Sequence, residues 1–186
     1  MLTLAFEKAR RRNARFARDQ RGVSAVEFAL VAPIMIGLYF GCVEISDAIS
    51  VDRKVSLAAA ALANLSSQTT TISATEMNNI FDASSAIVAP YDVGKMKMTI
   101  TCISIDANKN ATVKWSETRN GTAKSGNVTL PVALQVASSQ IILAEASYDY
   151  QPTVGYTITG TINLADKMYM TPRQTAPTYV PQGTCT

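Results

Sequence analysis

Val23-Ser24-Ala25-Val26-Glu27-Phe28-Ala29-Leu30-Val31-Ala32-Pro33-Ile34-Met35-Ile36-Gly37-Leu38-Tyr39-Phe40-Gly41-Cys42-Val43 is the stretch from which the fold of this chain is read. Its one charged side chain is Glu27. At about 1.5 Å of rise per residue it forms a helix of roughly 31 Å, close to the thickness of a bilayer's hydrocarbon core. A carboxylate near the start of such a span costs free energy, and its presence points to a use. Pro33 removes one backbone donor and crowds the carbonyl of Ala29, so a kink or local melting is predicted there. Gly37 and Gly41 form a Gly-x-x-x-Gly pair, which allows close helix packing but is common in membrane helices for other reasons.

The flank before this run is strongly basic. Residues 1–22 carry Lys8, Arg10, Arg11, Arg12, Arg15, Arg18 and Arg21 against Glu7 and Asp19, a net of +5. The chain as a whole carries +3, so the rest is mildly acidic. The positive-inside rule predicts that this flank stays in the cytoplasm and that residues after 43 lie across the membrane. The sequence pI near 8.8 reflects the leader. No basic patch follows it, which argues against nucleic acid as a partner. There is no histidine, the commonest general base and metal ligand. The acidic residues are dispersed, and no nucleophile arrangement, phosphate loop or calcium loop is present. The chain is therefore read as a non-enzyme with no cofactor and no metal. Asn-x-Ser/Thr triplets at Asn64, Asn110, Asn120 and Asn127 are read as chance in a chain rich in these residues.

Beyond the span the helix is predicted to continue to about Ser66. Ile45, Ala48, Ile49, Val55, Ala58, Leu62 and Leu65 recur at three- and four-residue steps, with Asp47, Asp52, Arg53 and Lys54 mostly off that stripe. The stripe must bury against the rest of the chain. Ser73-Ala74-Thr75-Glu76 is a capping box with Ile72 and Met77 as its staple, opening a second helix to about Val88 that Pro90 stops. The period then becomes two. Met96, Met98, Ile100 and Cys102 predict a half-buried strand, Val113 and Trp115 a second, and Ile142, Ala144, Ala146, Tyr148 and Tyr150 a third. Asp106–Asn110, Asn120-Gly121 and Ser125-Gly126 mark turns, and residues 131–137 a short helical turn. A last strand is expected around residues 164–171, in a tail made irregular by Pro172, Pro177 and Pro181. The fold class is α+β: a long transmembrane and amphipathic helix, a second helix and a small antiparallel sheet. The divisions are a leader at 1–22, the helix at 23–68 and a domain at 69–186. If that domain is exported, Cys102 and Cys185 are a candidate disulfide pair; two unrelated thiols is the alternative.

A basic leader, Gly22, an apolar helix and Glu27 at the fifth position after the glycine together resemble the type IV prepilin signal. In narrower terms, Arg21 to Pro33 is similar to the start of TadE-like proteins, the pseudopilins of the tight-adherence (Tad) pilus. Glu44 and the run from Asp52 to Ala61 resemble that family's amphipathic continuation, and Trp115-Ser116 and Glu145 to Pro152 its later strands. The resemblance covers about residues 20–63 most closely. It implies a pilin-like fold and cleavage by a membrane prepilin peptidase between Gly22 and Val23. The new ammonium at Val23 would then pair with the Glu27 carboxylate in a helical bundle, where either charge alone is penalised. A glutamate that merely reaches the headgroups is the other reading. Assembly would run through the helix, with Glu27, Phe28 and Pro33 in the contact segment. The implied partners are the prepilin peptidase, other pilins or pseudopilins, the inner-membrane assembly platform and the membrane itself. The length of the chain favours a minor subunit, held in the bacterial inner membrane with a cytoplasmic N-terminus and a periplasmic or pilus-borne domain. An uncleaved, single-pass anchored scaffold of the same machinery is the alternative.

Overall fold

The computed structural model describes residues 21–152 and 160–186. Residues 1–20 of the basic leader and the tail between Gly155 and residue 159 lie outside the described residues. Helix α1, Arg21–Gln68, is a single helix of 48 residues, about 72 Å long at 1.5 Å per residue. It passes through Pro33 without a break, so the helix does not melt there. The missing donor removes one bond, and the turns on either side hold.

Strand β1, Thr71–Ile72, leads into helix α2, Ala74–Ser85. The capping box is formed: Glu76 N donates to Ser73 Oγ at 3.2 Å, and Ser73 N to Glu76 Oε2 at 2.8 Å. Two orphan donors are thereby satisfied, and Met77, Ile80 and Phe81 are turned inward. The last predicted turn of this helix is a 3-10 turn, Ala86–Val88.

Four antiparallel strands follow: β2 (Met96–Ile105), β3 (Ala111–Arg119), β4 (Ser139–Tyr150) and β5 (Ile162–Met170), in the order β3-β2-β4-β5. On the inner face Met96, Met98, Ile100 and Cys102 stand opposite Tyr148, Ala146, Ala144 and Ile142. Helix α1 crosses β4 and β5 on this face with α2 beside it. Val51, Val55, Ala58, Ala59, Leu62 and Ala63 join those strand residues in one core. The alanines let the helix backbone lie close to the sheet. The stripe differs from the predicted one at its start. Ile45 and Ile49 are about half exposed, at 50% and 49%, while Val51 is fully buried. The inward line runs Glu44, Ala48, Val51, Val55, Ala58, Leu62, and a residue one position away points about 100° round the helix.

Two further expectations are corrected. Val113 and Trp115 do not share a face. Cys102 pairs with Trp115 but Ile103 pairs with Val113, so Lys114 is an extra residue in a β-bulge. Trp115 thus enters the inner core, and Val113 packs outside. Nor is β2 only half-buried. Its outer face holds Ile103 and Ile105 in a second cluster with Leu130, Ile141 and Leu143, covered by the segment that contains Val128 and Leu134. At the β3 turn, a Cβ on Gly121 would lie 2.7 Å from Thr118 Oγ1, so a larger residue there would have to displace that hydroxyl.

The C-terminal segment is ordered despite its prolines. Strands β6 (Thr178–Tyr179) and β7 (Gly183–Thr184) form a small sheet with β1, in which β6 runs parallel to β1 and antiparallel to β7. Cys102 and Cys185 are joined, with Cα atoms 5.9 Å apart.

Candidate functional site

The two halves of α1 have opposite surroundings. From Gly22 to Phe40 almost every residue is exposed or nearly so, Phe28 at 70% and Leu30 at 69%. This is the one helix among the described residues long and apolar enough to cross a membrane. Gly22, Val23, Glu27, Phe28 and Pro33 all lie on this uncovered half. Gly22 has open space around it: a Cβ there would meet nothing within 4 Å. The structure brings these five together along one rod. Cys102 and Cys185 are elsewhere, fully buried between the sheet and the C-terminal segment. Cys42 is a free, exposed thiol on the apolar half.

Where the helix leaves its uncovered half, a polar collar holds it to the domain. Gly41 is buried, and Glu44 is 3% exposed on the line that an apolar side chain would otherwise occupy. One turn on, the Asp47 carboxylate accepts two phenols: Tyr91 O–H on Oδ1 and Tyr150 O–H on Oδ2, the latter at 3.0 Å. Lys54 Nζ donates to the carbonyls of Ile87 at 3.2 Å and Ala89 at 2.6 Å. It thereby closes the exposed end of the turn that follows α2. Asp47 holds the Tyr91 phenol as a donor and pushes its pKa up to about 12. For Tyr150 burial is the larger cause and the bond to Asp47 the second, with the same result of about 12. Both remain O–H donors at any ordinary pH. A groove of about 460 Å³ opens beside the collar, lined by Tyr39, Cys42, Val43, Glu44, Asp47 and Tyr150 among others.

Asp47 and Lys54 lie mostly off the apolar stripe in the sequence pattern, which does not reveal these roles. Their partners are 44 or more and 33 or more positions away, so no local spacing pairs them. A signal did exist. Tyr148 and Tyr150 share one face of the third strand with Ile142, Ala144 and Ala146 in the sequence pattern, and a phenol buried with such residues needs a hydrogen-bond partner.

Residues 22–64 match the family model described as TadE-like protein. The match lies wholly within α1 and takes in the uncovered half, the collar residues Glu44 and Asp47, and most of the buried stripe. No curated protein matches the chain, and no solved structure does.

Proposed function

We propose, for a chain whose residues 22–64 match the TadE-like family, that it is a structural, non-catalytic subunit of a Tad-type pilus. It is held in the inner membrane by α1 and cleaved after Gly22 by a prepilin peptidase. It assembles through the uncovered face of the helix and carries residues 69–186 on the far side of the membrane. The observation that supports this most is the division of α1. Its second half is part of a folded core, while its first half shows a row of large apolar side chains and one acid to whatever surrounds it. That surface requires lipid before assembly and other helices after it. The apolar surface also continues past the collar, where Ile45, Ile49 and Leu57 are all about half exposed on the side away from the sheet. Lipid would not cover them on a domain lying outside the bilayer. Helices of neighbouring pilins or pseudopilins would.

A second reading has one observation in its favour. Gly22 and Val23 are already helical, and a peptidase must unwind that turn to reach the bond. If it does not, the chain stays whole as a single-pass scaffold for the same machinery. Gly22→Ala separates the two. On the pseudopilin reading it blocks a shift in the size of the membrane-bound protein and abolishes its share in piliation. On the scaffold reading neither changes.

A further inference from the structure

The last stretch of the chain, residues 171–186, touches more elements than its size suggests. Arg173 N donates to the Ser67 carbonyl in the final turn of α1, and Arg173 Nη2 to Asn64 Oδ1 at 2.7 Å. Thr178 N and Val180 N donate to the carbonyls of Thr70 and Ile72. The Trp115 indole N–H of β3 donates to the Pro177 carbonyl at 3.1 Å, and the ring stacks at a tilt on Tyr179. Gln182 clasps the backbone of Ser116 from both sides, accepting from its N–H and donating to its carbonyl, each at 3.2 Å. Cys185 closes the segment onto β2 through Cys102. The segment therefore spans the seam between the end of α1 and the sheet. Its strands are two residues each, too short to hold alone, and few of its side chains are buried, chiefly Pro177, Tyr179 and Cys185.

We infer that residues 171–186 form a strap whose closure over the seam between α1 and the sheet is set by oxidation of Cys102 and Cys185, a one-way redox latch. In a reducing compartment both thiols persist, and the strap has only hydrogen bonds that are too few to keep it closed. In an oxidising one, a protein disulfide of a thiol–disulfide oxidoreductase is attacked by one thiolate, and the second resolves the mixed disulfide. Two electrons pass to the oxidoreductase, which leaves as a dithiol with the two protons, and the S–S bond forms here. Once the strap is docked both sulfurs are fully buried, so a reductant reaches them only after the strap opens. The strap is therefore locked over the end of α1 only where the chain can be oxidised. This inference does not depend on the pilus reading.

The test uses the full chain in detergent, with Cys42→Ser to remove the exposed thiol. Trp115 is the sole tryptophan and reports the strap directly. Trypsin at Arg173 reports it independently. With the disulfide intact, the protein should resist a phosphine reductant without denaturant, keep a blue-shifted emission and be cut slowly after Arg173. Cys185→Ser should shift the emission to the red and speed that cut by roughly tenfold or more, as a local opening does. Cutting at Lys97 and Lys167 in the sheet should stay slow. Gln182→Ala with the disulfide intact should keep the strap closed. Unchanged emission and cleavage in Cys185→Ser would overturn the latch. So would equal acceleration at Lys97 and Lys167, which would make the strap inseparable from the domain. Release in Gln182→Ala equal to that in Cys185→Ser would also overturn it.

Discussion

Asp47 ties α1 to two other elements where the helix leaves the domain. Its carboxylate collects phenols from two elements, Tyr91 after α2 and Tyr150 at the end of β4. Asp47→Ala leaves the buried Tyr150 hydroxyl without this acceptor. A lost hydrogen bond to a charged group costs about 1.5–3 kcal/mol, and thermal unfolding should show a loss in that range. The phenols give a pH prediction. Their folded pKa values, raised to about 12 from 10, mean that their contribution is complete below pH 10 and fades as the pH rises through 12. The domain should lose stability across that interval, and Tyr150→Phe should lose less of it there than the parent. Glu27 belongs to the same scale and the opposite environment, on the exposed half of α1. On the pilus reading proposed above, Glu27→Ala removes a charge from the apolar phase, so insertion should be intact or improved while piliation falls. Normal piliation in that variant would show that the carboxylate has no pairing role.

Among the elements, the second half of α1 presents two apolar faces. One is the alanine-rich line against β4 and β5; the other carries Ile45, Ile49 and Leu57 outward. Ile49→Asp and Leu57→Asp change only exposed positions, so the domain's unfolding should move by no more than about 0.5 kcal/mol. Pilus assembly should fall nonetheless. Assembly at parental levels in both would remove the outward face from the account. Much of this layout was legible in the chain. The span of α1 follows from an apolar run joined to a 3.6-residue stripe, α2 from its capping box, and β4 from strict alternation ending at Tyr150. Other features were not legible because long-range packing decides them. Nothing local marks Lys114 as a bulge, and the bulge alone separates Val113 from Trp115. The choice of Val51 over Ile49 depends on where the sheet meets the helix. The parallel pairing of β1 with β6 joins segments about a hundred residues apart through two-residue strands. Of the candidate site, the sequence showed the rod and its acid but not the collar.

The described residues form a rod with a domain built onto one end. Half of α1 is the spine of the α+β core and the other half stands free of it. The same helix makes up both halves, and no linker intervenes. The collar at Asp47 and the strap at the far end of α1 hold that helix at two points. On the proposed function, the free half is trimmed to begin at a new amine beside Glu27. Sequencing the first residues of the protein recovered from membranes tests this most directly. The account predicts a mature chain starting Val23-Ser24-Ala25; recovery of a chain that still starts at Met1 would contradict it.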